Sequence, residues 1–204
     1  MKVGITGGIG SGKTTVSRYF EILGIPVFNS DRVSSDILNT NKDVHLALTE
    51  MFGSVVLRDG FPDRKFIASK AFSNPDLLYQ LNQLIHPIVK VHFENWCNLH
   101  IHLPYVLKEA AILFETGSYK ELDKTILVTC PIALRKQRTM KRSGISEAEF
   151  IKRMSNQWTD KQKRKIAGFE IINDEKHSII LQVQNIHNQI LHDSDIKQSA
   201  TKSC

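Results

Sequence analysis

The chain has 204 residues, 41% of them hydrophobic and 24% charged, and a formal net charge of +6. That length suits one core domain with small insertions and needs no disulfide or metal to fold. The composition excludes wholesale disorder, and no run of about 18 apolar residues exists to cross a membrane.

The elements follow in chain order. Lys2–Thr6 alternates and is β-branched, which predicts a short strand. A glycine cluster comes next, then a helix over Lys13–Leu23 stopped by Gly24, then a second strand at Ile25–Phe28. Strand, glycine turn, helix and strand in so short a span form a βαβ unit and imply a parallel sheet. Val44–Phe52 is expected to be helical, and Gly53–Asp63 to hold a hairpin or loop turning at Asp59-Gly60. Helices are expected over Arg64–Ser73 and Asp76–Cys97, the second interrupted at Pro87. Pro104–Lys108 and Thr125–Thr129 are further strands. Ile132–Arg142 and Glu147–Asn156 are basic helices around a Ser143-Gly144 break. A short helix near Lys161–Ala167, a fifth strand at Phe169–Ile172 and a closing amphipathic helix over Ser178–Leu191 complete the fold, and the polar residues 193–204 are expected to be disordered. The whole reads as α/β, a three-layer parallel sheet of five strands with helical insertions after the second and fourth.

No apolar leader follows Met1, so no signal peptide is expected. Cys97, Cys130 and Cys204 are widely spaced and form no CxxC. They fit a reducing cytoplasm and supply no zinc framework. His92, His100 and His102 lack Cys or carboxylate partners at matching spacing, so they are not a metal site. Trp96 and Trp158 are expected to be packing residues.

The positive charge is concentrated. From Arg135 to Lys165 eleven basic residues face three acids, a net +8, and the rest of the chain carries 16 basic and 18 acidic residues, −2. Such a field attracts a polyanion, either nucleic acid or a nucleotide, unless it is a solvated helical face.

Gly7-Gly8-Ile9-Gly10-Ser11-Gly12-Lys13-Thr14 matches G-x-x-x-x-G-K-[ST] between a strand and a helix. Glycines let backbone N–H groups approach phosphate oxygens, and the helix N-terminus favours an anion. Lys13 places a charge on the outer phosphates, and the Thr14 hydroxyl is a ligand for Mg²⁺. No guanine-reading N-K-x-D segment or D-x-x-G switch is present. A small-molecule kinase needs only this loop, a carboxylate at the acceptor and an arginine-bearing lid. Asp31, just past the second strand, stands where open α/β sheets bind ligands, though it also suits the N-cap of a helix over Arg32–Leu38. Arg135, Arg138 and Arg142 share one helical face and suit phosphate, the alternative being ion pairs with Glu147 or Glu149.

The order and spacing of further pieces carry a resemblance. They are Ile5–Thr15, Leu23-Gly24-Ile25-Pro26-Val27 leading to Asp31, Phe52-Gly53, Asp63-Arg64 and Ile85-His86-Pro87. Ile112-Leu113-Phe114-Glu115, Gln137-Arg138 with Arg142, Gln157 and Ile171-Ile172-Asn173-Asp174 follow. Over roughly residues 1–192 the chain resembles a dephospho-CoA kinase. The resemblance implies a P-loop kinase core (1–30, 104–131 and 166–192), a helical substrate-binding insertion (31–103) and a basic lid (132–165). It implies ATP- and Mg²⁺-dependent phosphorylation of the ribose 3′-hydroxyl of dephospho-CoA, the last step of coenzyme A synthesis. By that resemblance Gly8, Gly10, Ser11, Gly12, Lys13, Thr14 and Thr15 hold ATP phosphates, and Asn173 lies near the adenine. Asp31 is the base by the acceptor hydroxyl, Arg64 and His86 belong to the acceptor cleft, and Arg138 and Arg142 close over the phosphates.

Four positions depart from the family pattern. Asn29-Ser30-Asp31 stands for a frequent Asp-x-Asp, which weakens metal placement at Asn29. Glu109-Ala110-Ala111 stands for Asp-x-Pro, and Glu109 keeps the charge on a longer arm that reaches the metal through water. Gly168 replaces a frequent Asp and Glu175 a frequent Gly. The expected partner is the small molecule dephospho-CoA, with no nucleic acid or membrane, in a monomer or weak homo-oligomer in the cytoplasm. Another nucleoside or nucleotide kinase is the nearest rival, and a nucleic-acid-binding NTPase module the more distant one.

Overall fold

Five short strands pair into one parallel sheet, and its three central strands are buried on both faces, as a helix-covered sheet requires. In a computed structural model, residues 1–71 and 73–202 are described. The sheet strands are β1 (Lys2–Thr6), β2 (Val27–Asn29), β5 (Val106–Glu109), β6 (Lys124–Thr129) and β7 (Phe169–Ile172). Their order is β2-β5-β1-β6-β7, and every adjacent pair is parallel. Connections leave β1 and β6 in opposite directions. The crevice between those strands is therefore the switch point where α/β sheets bind ligands.

Helices α1 (Lys13–Ile22) and α9 (Ile179–Lys202) cover the sheet. The core is built from Val3, Ile5, Val16, Phe20, Tyr105, Leu107, Ile126, Val128, Ile171, Val183, Ile186 and Ile190 with their neighbours. Phe20 is fully buried at the centre of this cluster. Phe20→Ala is expected to cost about 3–5 kcal/mol of unfolding free energy, read by urea titration. A loss under about 1 kcal/mol would mean that α1 does not anchor the core.

The chain divides into two compact units, Met1–Asn29 together with Cys97 onward, and Ser30–Trp96. The second unit is helical: α2 (Ser30–Thr40), α3 (Lys42–Phe52), α4 (Arg64–Ala71) and the start of α5 (Pro75–Leu99). Asn41 caps α3 by accepting from Val44 N–H, and Asp63 caps α4 by accepting from Lys65 and Phe66 N–H. The expected hairpin is present as β3 (Leu57–Arg58) and β4 (Phe61–Pro62). Its two turn residues, Asp59 and Gly60, both have positive φ (53° and 80°), the backbone of the tight hairpin turn.

The first unit also holds α6 (Ile132–Ser143), α7 (Glu147–Ser155) and α8 (Asp160–Arg164). Gly144 (φ 63°) ends α6, Ser146 caps α7, and Thr159 and Gln162 form a reciprocal cap on α8. No helix among the described residues is long and apolar enough to cross a membrane.

Two sequence expectations are corrected. Pro87 does not interrupt α5, which runs through it from Pro75 to Leu99. A single proline removes one N–H, and the buried stripe Ile85, Val89 and Phe93 holds the helix on both sides of it. Residues 193–202 are not a disordered tail but the last turns of α9. Ser194 is buried and donates to Pro104 O at 2.8 Å, and Lys197 pairs with Asp123. These anchors are polar, so hydrophobic periodicity does not reveal them. Ser203 and Cys204 lie outside the described residues.

Candidate active site

The glycine cluster leaves β1 at the switch point and opens α1. Gly10 (φ 76°) and Gly12 (φ 91°) adopt a backbone that L side chains rarely take. Space is equally restrictive. A Cβ on Gly7 would strike Val128 O, on Gly8 the Arg135 guanidinium, on Gly10 the Thr139 hydroxyl, and on Gly12 the Asn173 amide. The loop is thus packed from outside by β6, α6 and the end of β7. Its own Ser11 N–H donates to Gly8 O at 3.0 Å. A closed loop with N–H groups gathered at a helix start is an anion cradle.

Lys13, the first residue of α1, donates its Nζ to Gly7 O at 2.8 Å and so spans the loop. Thr14 Oγ1 donates to Glu109 Oε1 at 2.8 Å. Glu109 ends β5, is 3% exposed, and stands opposite Asn29 and Ile5 in the strand register. A hydroxyl and a carboxylate joined at the cradle's mouth are hard oxygen donors of the kind Mg²⁺ takes beside phosphate oxygens. Among the described residues no group of three or more His, Cys, Asp or Glu could hold a metal by itself. Mg²⁺ commonly enters kinase sites on few protein ligands plus phosphates, so the donor set fits.

The sequence places Arg135, Arg138 and Arg142 on one helical face, and the structure gives Arg135 a different setting from the other two. Arg135 is 5% exposed, donates from Nε to Ile9 O at 2.9 Å, and lies 3.5 Å from Asp160. It is a brace on the loop. Arg138 pairs with Glu175 at 2.9 Å and also reaches Asn173 O and Cys130 Sγ, each at 3.4 Å. Burial pushes the Cys130 thiol pKa up, against the opposing charges of Arg138 and Arg135. Arg142 is exposed and has no partner among the described residues. The acids expected as alternatives bind elsewhere: Glu147 takes Lys136 and Glu149 takes Arg153.

Asn173 stands behind the loop. Its Nδ2 donates to Ser11 O at 2.8 Å and its N–H to Thr129 O at 2.8 Å, and it is 7% exposed. The side chain thus helps to set the shape of the cradle. Next to it, Asp174 accepts the N–H groups of His177 and Lys176, which hold its pKa down to about 2. A carboxylate depressed by folding stabilises the fold above its ordinary value of 3.8, and that help fades as pH falls toward about 2. The stability gap between the native chain and Asp174→Asn is expected to narrow from pH 4 to pH 2 in denaturant titrations. A constant gap would remove Asp174 from the acid response.

Asp31 is exposed in the first turn of α2, which begins at Ser30 directly after β2. It is inside the helix, so the N-cap alternative over Arg32–Leu38 does not hold. Arg64 is exposed at the start of α4, and His86 is half-buried in α5. All three lie in the second unit.

Gln157 and Glu115 are pieces of the resemblance, but the sequence does not show what they touch. Gln157 accepts from Ile9 N–H at 2.8 Å and donates to Ala111 O at 3.4 Å. Lys163 is fully buried against Glu115 at 2.9 Å, and Glu115 also accepts from Trp158 N–H. Buried ion pairs of this kind are costly to break from one side. The sequence marks Arg135 only as a member of the α6 arginine face and does not single out Thr139, which is fully buried on the loop.

The model of the dephospho-CoA kinase family matches residues 1–178. The chain belongs to the dephospho-CoA kinase family. It is 36% identical over 183 residues to the dephospho-CoA kinase of Bacteroides fragilis, covering 90% of this chain and 89% of that one. It is 37% identical over 185 residues to that of Porphyromonas gingivalis, covering 90% and 91%. A solved structure from Thermus thermophilus superposes with a TM-score of 0.80 at 30% identity, covering 95% of this chain and 97% of that one. Membership makes the chain a kinase, and the P-loop core, the parallel sheet of five strands and the flanking helices are the family fold.

Proposed function

We propose that the chain transfers the terminal phosphoryl group of ATP to the ribose 3′-hydroxyl of dephospho-CoA, with Asp31 taking the hydroxyl proton. The coarser statement follows from the family: the chain is an enzyme of coenzyme A synthesis that phosphorylates dephospho-CoA at the expense of ATP. The observation that carries the reading is the braced glycine cradle, with Lys13 across it and Thr14 joined to Glu109 at its mouth.

In this proposal the N–H groups of Gly8, Gly10, Ser11 and Gly12, with those of Lys13, Thr14 and Thr15, surround the phosphates of ATP. Lys13 exchanges Gly7 O for phosphate oxygens. Thr14 and Glu109 would hold Mg²⁺, Glu109 by way of water, and the ion would neutralise charge on the phosphate oxygens. Arg142 meets the transferring group, and Arg138 joins it by exchanging Glu175 for phosphate. Residues 132–165 are then a lid whose closure excludes water. Arg64 and His86 contact the acceptor, and Asp31 is the general base. The same proposal places the protein in the cytoplasm as a monomer or weak homo-oligomer acting on a small molecule and not on nucleic acid.

The test incubates the purified chain and MgATP with dephospho-CoA, AMP, CMP or shikimate and reads products by mass. Gain of one phosphoryl group on dephospho-CoA alone is expected. Preference for any other acceptor overturns the reading in favour of a different nucleotide or small-molecule kinase.

A further inference from the structure

Helix α6 carries two adjacent stripes with different work. Arg138 and Arg142, four residues apart, form one. Arg135 and Thr139, also four apart, form the other, and both are buried. The second stripe lies on the cradle, since side-chain atoms added at Gly8 or Gly10 would meet the Arg135 guanidinium or the Thr139 hydroxyl.

The contact singles out one loop residue. Arg135 Nε donates to Ile9 O at 2.9 Å from 126 positions along the chain, and Gln157 Oε1 accepts from Ile9 N–H at 2.8 Å from 148 positions along. Gln157 is tied in turn to Ala111 O, and Arg135 is held by Asp160 at the start of α8. Both peptide planes flanking Ile9 are therefore fixed from outside the loop. In a trans peptide the C=O and the following N–H point in opposite directions, and the chain has no cis bond among the described residues. A carbonyl of Ile9 pulled outward by Arg135 aims the Gly10 N–H the other way, into the cradle.

We propose that Arg135, anchored by Asp160, is a positioning residue for phosphoryl transfer: it holds the Ile9 carbonyl outward so that the Gly10 N–H is aimed at phosphate before ATP arrives. The inference rests on the cradle being the ATP site. It also makes α6 a rigid link from the loop to Arg138 and Arg142, one and two turns further along. A donor aimed in advance loses no reorganisation energy when charge develops on the phosphate oxygens.

The experiment measures ATP affinity by titration calorimetry, KM for each substrate, kcat and Tm in wild type, Arg135→Met and Arg135→Lys. Arg135→Met keeps the side-chain stem and is expected to weaken ATP affinity about ten- to a hundredfold, the usual worth of a hydrogen bond from a charged group. KM for dephospho-CoA is expected to stay at the wild-type value. Arg135→Lys is expected to recover part of the ATP affinity, because one N–H still reaches the carbonyl. Arg135→Met leaves the Asp160 carboxylate unpaired, so the double variant with Asp160→Asn replaces it if the single variant does not fold. Unchanged ATP affinity in folded Arg135→Met, or in its double variant with Asp160→Asn, overturns the inference, as does an equal rise in both KM values that follows the fall in Tm. Absence of ATP binding by the wild type overturns the site assignment itself, and that result appears before any substitution is made.

Discussion

Lys13→Ala is expected to lower kcat/KM about 10²–10³-fold, the scale of losing one preorganised group that meets charge developing in a transition state. The ammonium lies inside the loop, 2.8 Å from Gly7 O. Its removal therefore takes a positive charge from the place where the outer phosphates of ATP would sit. The same change frees one carbonyl, a loss of about 1 kcal/mol in stability. The two effects separate on measurement: steady-state rates fall by orders of magnitude while the unfolding midpoint moves slightly. Lys13→Arg is expected to rescue little, because a planar fork does not fit where a compact point charge does. A variant whose rate loss follows its loss of folded protein would show that Lys13 only closes the loop.

Asp31→Ala is expected to reduce kcat about 10²–10⁴-fold, the range for removing a general base, and to leave ATP affinity at the wild-type level. The affinity expectation follows from the division of the chain. Every residue that holds the cradle belongs to the first unit, whereas Asp31 belongs to the second. Its carboxylate also favours the positive end of α2, a contribution of about 0.3–1 kcal/mol that a thermal melt detects. Pre-steady-state rates with saturating ATP and dephospho-CoA separate a lost base from slower product release. Wild-type turnover in this variant would remove Asp31 from the chemistry.

The departures from the family pattern gain a physical reading at β5. Glu109 has one more methylene than Asp, and its carboxylate accepts directly from the Thr14 hydroxyl. The longer arm spans from strand to loop. Asn29 stands opposite it in register without a charge of its own. Glu175 adopts positive φ (67°) where the family often has glycine, and its carboxylate holds Arg138. Such strain persists only where surrounding contacts enforce it, and here the adjoining Asp174 turn and the Arg138 pair do so.

Much of this molecule was legible in one dimension. Val-, Ile- and Thr-rich runs have a period that the pleat requires, so all five sheet strands were placed within a few residues. The glycine cluster declared its chemistry because backbone with positive φ beside Lys-Thr has few other uses. Asp59-Gly60 is legible as a turn because its conformational preferences act over three or four residues. What stayed hidden was long-range and polar. Arg135 looked like a third lid arginine, and its spacing could not show that a carbonyl 126 positions away takes its Nε–H. Asn173 lay in the right strand end, but only the sheet brings it to Ser11 O. The last turns of α9 look like a loose tail in the sequence because Ser194 and Lys197 anchor by hydrogen bond and charge, which leave no apolar period. Local propensity and hydrophobic rhythm settled the elements and the cradle by themselves. The folded chain alone decided which polar groups meet across it, since hydrogen bonds depend on distances and angles that sequence spacing does not contain.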